Sequence, residues 1–376
     1  MRSKRRLFYR RTAALAAVFC TLAAVRSGRM PELIAQAAAF SAAFSAPDAA
    51  AAALRERFSD LTREEEPNPL VRPEESKPEN SPAKEPSSSP SSTPEEEAPP
   101  PEIPEEYRGT LLTEDFSGYE GGPYYRWNNA WLRNYTEYTS KELDEILSEP
   151  TPIRGDASGE IQVLIYHTHA TESYCPYDAE IYDTRYNWRT TDVTGNMVAV
   201  GTVLTETLRS YGIGVLHDTS LHDYPSYDGS YANSYAAVSR YLEEYPGIRV
   251  VLDVHRDAME REGNVIVKPA VEIDGEKYAQ LMVISNCDDG SGLISEWRQN
   301  LRFAAALTDA IETRAPGLTR PILFSHRKYN QQLSTGALLL EFGSHANTLE
   351  ESKRTARVVG EALAQFLLRE ELPDDS

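Results

Sequence analysis

The chain has 376 residues, and 12 of its 24 prolines crowd between 64 and 106, so it cannot be core throughout. Its formal net charge is −20, and residues 107–376 hold 24 bases against 41 acids. That balance argues against nucleic acid as a partner, because phosphate binding needs basic surface. The three cysteines, Cys20, Cys175 and Cys287, make no disulfide framework.

The chain opens with the basic stretch MRSKRRLFYRR, then runs uncharged from Thr12 to Val25. As a helix that run spans about 21 Å, short of the roughly 30 Å hydrocarbon core. Residues 1–29 therefore read as an export signal or a minimal membrane anchor with flanking arginines. Residues 30–63 are Ala-rich, helical and weakly amphipathic, suited to lying on a membrane. Residues 64–106 hold 13 acids, 3 bases and almost no large apolar side chain. Such a segment cannot offset its ordering entropy and reads as a disordered linker. Residues 107–376 remain as one working domain on the far side of the membrane, large enough for a good core.

Within that domain strands and helices alternate. Ile161–Tyr166 reads as a buried strand. Asn196–Tyr211 has helical apolar spacing that Gly212 ends, and Ile213–Leu216 is a short strand. Tyr231–Glu244 is a helix closed by Pro246 and Gly247. Ile248–Val254 is an apolar strand, and two more strands flank the hairpin signal Asp274-Gly275. Ile294–Arg314 is helical, Pro321–Phe324 and Ala337–Phe342 are strands, and Asn347 caps a last helix with Glu350 three residues on. Helices between fully apolar strands predict a three-layer αβα fold of the α/β class with a mostly parallel sheet.

Three apolar strands end in polar clusters: VLIY runs into HTHATE, VVLDV into HRD and LLL into EFGSHAN. In open α/β sheets ligands bind at the carboxyl ends of strands. His169, Glu172 and His255 can therefore converge as two imidazoles and a carboxylate, a set that suits zinc and leaves one position to water. Glu341 is the candidate to carry the proton between water and a leaving nitrogen. His167 alternates with His169, so one of the two points at the site and the other away, and His169, farther past the strand end, is favoured. Asp253 and Asp257 flank His255 as candidates to fix its tautomer. Arg256, Asp257 and Asn347 are candidates for substrate contact or for bracing the ligands. His217, His222, His326 and His345 read as surface-loop histidines.

THATESY, LDVHRDA and LLLEFGSHANTLEES, in that order, resemble the stage II sporulation protein P family of endospore-forming bacteria. SYGIGVLHDTS and YNQQLSTGALLLEFG support the resemblance, which covers roughly residues 160–370. It implies a zinc-dependent N-acetylmuramoyl-L-alanine amidase that also cleaves cross-linking peptides, with the α/β fold of the zinc amidases. It implies a membrane anchor at the sporulation septum and partnership with a lytic transglycosylase, stage II sporulation protein D, in thinning peptidoglycan during engulfment. Carried over by motif, its histidines fall on His169 and His255 and its glutamate on Glu341. Two other readings share these residues. A zinc metallocarboxypeptidase has the same order of ligands and base, and a wall-binding module would keep the fold without the chemistry.

Overall fold

The computed structural model describes residues 102–119 and 121–369. The anchor, the Ala-rich segment and the linker up to residue 101 lie outside the described residues. Among the described residues no helix is long and apolar enough to cross a membrane. The folded chain begins before the composition changes. Ile103 is buried, Arg108 Nε donates to its carbonyl at 2.8 Å, and Glu105–Tyr107 form a 3-10 turn.

In chain order the strands are β1 (Arg108–Glu114), β2 (Tyr124–Trp127), β3 (Ala130–Asn134), β4 (Ile161–Tyr166), β5 (Ile181–Asp183), β6 (Gly214–His217) and β7 (Val250–Asp257). They continue with β8 (Glu260–Arg261), β9 (Val265–Ile273), β10 (Glu276–Ala279), β11 (Leu281–Asn286), β12 (Ile322–Ser325) and β13 (Ala337–Ser344). The helices are α1 (Ser140–Leu147), α2 (Met197–Ser210), α3 (Ser230–Glu244), α4 (Trp297–Arg314) and α5 (Leu349–Leu367).

Eight strands form the main sheet in the order β2-β3-β12-β11-β13-β7-β4-β6. Only β2–β3 and β11–β13 pair antiparallel; the other five pairings are parallel. The central strands are apolar on both sides, as a sheet covered on both faces requires. Helices α2, α4 and α5 cover one face through Leu204, Leu301, Phe303 and Leu363. Helix α3 covers part of the other through Val238, which packs with Leu164, Tyr166 and Val251. Each fully buried Leu or Phe contributes about 1.5–3 kcal/mol of transfer free energy. The result is the three-layer αβα fold that the alternation predicts.

A second, smaller sheet, β10-β9-β1-β5 with β8 on β9, contains the hairpin that Asp274-Gly275 predicts; its other strands are absent from the sequence reading. Its β9–β10 hairpin turns at Asp274 (φ 53°) and Gly275 (φ 81°), the two positive angles that a type I′ turn demands. The last helix starts one residue later than predicted. Thr348 is its N-cap, and Glu351 completes the capping box. Asn347 cannot serve as the cap, because its Oδ1 accepts from Ser344 N at 2.9 Å and its Nδ2 donates to Pro269 O and Glu351 Oε2.

Candidate active site

Strands β13, β7 and β4 lie side by side, so their carboxyl ends share one edge of the sheet. In β13–β7 register Glu341 is the neighbour of His255. Strand β7 runs through His255 to Asp257, so alternation turns Asp253 and His255 to one face and Arg256 to the other. After β4 the chain makes a tight turn in which Glu172 N donates to His169 O at 3.1 Å, holding the two side chains of His169-x-x-Glu172 close.

The structure brings His169, Glu172 and His255 together, each less than a tenth exposed. The imidazoles of His169 and His255 stand edge to face, with centroids 5.2 Å apart. His255 Nδ1 lies 3.6 Å from Glu172 Oε2, and its Nε2 lies 2.7 Å from Asp253 Oδ1, off the hydrogen-bond direction. Asp253 is itself fixed, since Thr168 N and Oγ1 donate to its two oxygens at 2.9 and 2.7 Å. His169 stacks on Tyr227 at 4.5 Å, and its Nε2 is 3.2 Å from the Tyr227 hydroxyl. Its Nδ1 is buried with no hydrogen-bond partner among the described residues.

Charge at this cluster is unevenly shared. Burial opposes ionisation of Glu172, yet Arg256, His255 and His169 hold its carboxyl well below the usual range. Burial likewise opposes a proton on His255, but Asp253 and Glu172 on either side raise its pKa well above an ordinary imidazole. Burial and the neighbouring His255 lower His169 to about 4. The cluster thus demands one positive charge between two buried carboxylates. Glu341 stands apart: burial first, then the charge of Asp257, push its pKa up to about 8, and its Oε2 has no partner.

Among the described residues no three His, Cys, Asp or Glu side chains stand in closed metal-binding geometry. The donor set fits a metal chemically. His169 Nε2 faces the Tyr227 hydroxyl and its Nδ1 is unpartnered, while His255 turns Nδ1 toward the ionised Glu172 and leaves Nε2, near Asp253, without a hydrogen bond. A carboxylate behind a histidine is the usual arrangement for orienting such a ligand.

His167 is fully buried and faces away from the cluster. Its Nδ1 is 2.9 Å from Val254 O, which can only accept, so Nδ1 carries the proton. Its Nε2 then accepts from Nε2 of His217, also at 2.9 Å. A Cβ on Gly201 would lie 2.5 Å from that His167 nitrogen, so only glycine lets α2 close over the pair.

The remaining candidates divide. The Arg256 guanidinium is not free for substrate. It donates to Ser173 O and Trp188 O, and it braces Glu172 through charge and through its backbone N–H. Asp257 pairs with Arg320 at 2.9 Å rather than with His255, and acts on the site by raising Glu341. Asn347 is buried in the turn after β13 and bonded on every side, so it supports the fold and contacts neither substrate nor ligand. His345 and His222 are buried rather than on the surface; His345 packs against Trp188, and His222 pairs with Asp218. Cys175 and Cys287 are both free and buried.

Sequence reasoning missed Tyr227 and Arg189. Arg189 lies 4.8 Å over the Tyr227 ring, 3.7 Å from Glu172 and 3.0 Å from Asp223. Asp223 also accepts from the hydroxyl of Thr171 at 2.6 Å. Both residues sit in aperiodic loops, where no spacing marks them.

The sequence model of a family described as Stage II sporulation protein P (SpoIIP) matches residues 46–364. The chain is similar to the Stage II sporulation protein P of Bacillus subtilis (strain 168), with 26% identity over 247 residues, 62% of this chain and 58% of that protein. The match thus spans less than two thirds of that relative. Among solved structures the chain is similar to the N-acetylmuramoyl-L-alanine amidase AmiC2 of Nostoc punctiforme, at 13% identity and a TM-score of 0.33, covering 56% of this chain and 96% of that one. It is also similar to an N-acetylmuramoyl-L-alanine amidase from Clostridium difficile 630, at 14% identity and a TM-score of 0.33, covering 55% and 95%.

Proposed function

The chain belongs to the stage II sporulation protein P family, and from that premise we propose that it is a zinc-dependent peptidoglycan hydrolase. Its reaction is cleavage of the N-acetylmuramoyl-L-alanine amide bond, and of cross-link peptides, during engulfment. One observation carries the reading: His169, Glu172 and His255 converge beside Glu341, whose Oε2 is buried without a partner.

His169, Glu172 and His255 would hold the zinc. When bound, it supplies Lewis-acid polarisation of the scissile carbonyl and an acidic water. Glu341 takes a proton from the attacking water and gives it to the leaving nitrogen. A carboxyl raised to about 8 is suited to both halves of that transfer near neutral pH. Tyr227 holds the His169 imidazole in the orientation that keeps its Nδ1 available, and Asp253 stands behind His255. Arg256 keeps Glu172 ionised. In this reading residues 1–29 tether the domain at the sporulation septum, and a lytic transglycosylase, stage II sporulation protein D, acts beside it.

The test is digestion of purified peptidoglycan with product masses and metal content measured together. Free stem peptides from glycan chains left intact, with about one zinc per chain, are expected. His169→Ala and His255→Ala should each lose the metal. Peptides shortened only at their carboxyl ends would replace this reading with a carboxypeptidase. Retained zinc in either histidine variant would remove that residue from the ligand set.

A further inference from the structure

Sheet register carries the face of the site well beyond the site itself. Asp253 pairs with Leu339, Leu339 with Ile284, Ile284 with Leu323, Leu323 with Arg133 and Arg133 with Tyr124. Paired residues share a face, and alternate residues along a strand return to it. His255, Glu341, Met282, Trp131 and Arg126 therefore belong to the same face. Helix α3 covers it over β4, β7 and the start of β13, through Leu164, Val251 and Ala337, and the Gln331–Leu333 turn covers the end of β11, so Leu339 and Ile284 are buried. Farther along, Met282 and Leu323 are half-buried, and Arg126 and Arg133 are exposed. The opposite face of β2 and β3 is the one packed on the core, through Tyr125, Trp127 and Leu132.

The open end of this face alternates rings and guanidinium groups. Tyr119 stacks on Tyr124 at 4.8 Å, and Arg133 lies over Tyr124 and Tyr135 at 6.0 and 4.8 Å. Arg126 lies 5.6 Å over Trp131. Among the described residues neither arginine is in a salt bridge; Arg126 Nε donates only to the carbonyl of Asn128. Two unpaired cations on an acidic domain are matched by an anionic partner, and rings laid flat between them are matched by a partner with flat apolar faces.

We propose that the exposed face of β2 and β3, continued over Leu323 and Met282, is a docking track for a glycan strand whose stem peptides carry carboxylates, leading the strand to Glu341 and His255. The proposal rests on the peptidoglycan reading above. Sugar rings present C–H faces that stack on Tyr and Trp, and carboxylates suit the planar fork of Arg. Four strand spacings separate β13 from β2, about 19 Å, enough for several sugar rings. Because β2 is an edge strand, a long polymer enters from the side without threading.

The experiment compares the full chain with Arg126→Gln/Arg133→Gln and, separately, Tyr135→Ser. Co-sedimentation is measured with purified peptidoglycan, with and without its anionic polymers. Hydrolysis is measured on the same wall and on a soluble muramoyl-peptide. Binding to stripped peptidoglycan should weaken about tenfold in the double variant, with a raised KM on wall and an unchanged rate on the small substrate. Unchanged sedimentation of both variants overturns the proposal. So does binding that disappears from wild type once the anionic polymers are removed, since the occupant is then a phosphate polymer. Weakened sedimentation without cleavage of either substrate by wild type would uphold the track and overturn the hydrolase reading instead.

Discussion

Lys268 on β9 and His255 on β7 are both buried between two acids, with 1% and 3% exposure. Around Lys268 the hydrogen bonds close. Its Nζ donates to Asp178 at 2.6 Å and to Glu351 at 3.1 Å, and the other Glu351 oxygen accepts from Asn347 and Thr348. Around His255 they do not close. Its acids are near but poorly aligned, and His169 Nδ1 and Glu341 Oε2 have no partner. Buried polar atoms are nearly always satisfied in a stable interior. The closed set belongs to the scaffold, and the open one marks where something else is meant to bind or react.

The sharpest way to break that contrast is Glu341→Gln. It keeps shape and removes the proton acceptor, so hydrolysis should fall by about 10²–10⁴-fold while zinc content and thermal stability hold. A stable variant with full activity would move Glu341 to the scaffold side. Lys268→Ala should do the reverse. Leaving Asp178 and Glu351 without their cation should cost about 3–5 kcal/mol in denaturant unfolding, with activity per folded molecule retained. A loss under 1 kcal/mol would show that the closed set is ornamental.

The imidazole pair behind the site offers a smaller effect through pH. Burial lowers His217 to about 4, below the roughly 6.5 of an unfolded histidine. Its contribution is fully present above pH 6.5 and is lost as pH falls toward 4, because the unfolded chain then binds a proton that the fold refuses. Melting followed from pH 7 to 4 should lose about 2 kcal/mol more in wild type than in His217→Gln, a value reduced for the partial exposure of the ring. Equal slopes would mean that the pair titrates as freely as it does unfolded. Least of all, Thr348→Ala removes the cap of α5 and should cost about 1 kcal/mol by calorimetry. No change there would show that the capping box adds nothing to the stability of α5.

The regular αβα body was legible because its strands are apolar runs bounded by helix signals. The predicted Ile161–Tyr166 coincides with β4, and the three polar strand ends do meet. Of the second sheet only the β9–β10 hairpin was legible, through Asp274-Gly275. Strand β1 buries only alternate residues, and β5 has three residues, so neither reads as a core strand. Strands β2 and β3 were hidden for another reason: their outward side chains are Tyr, Arg and Trp, which blur the period. His345 looked like a loop histidine because sequence cannot tell that the small sheet folds over the loop that carries it. Arg256 looked available for substrate until the structure gave it the carbonyls of Ser173 and Trp188.

His169, His255 and Glu341 come from three adjacent strands, and 86 residues separate each from the next along the chain. A nascent chain short of residue 341, or a fragment cut anywhere between residues 169 and 341, lacks at least one of the three. In the peptidoglycan hydrolase proposed above, that distance along the chain would act as a safety interlock, since activity would arrive only with the finished fold.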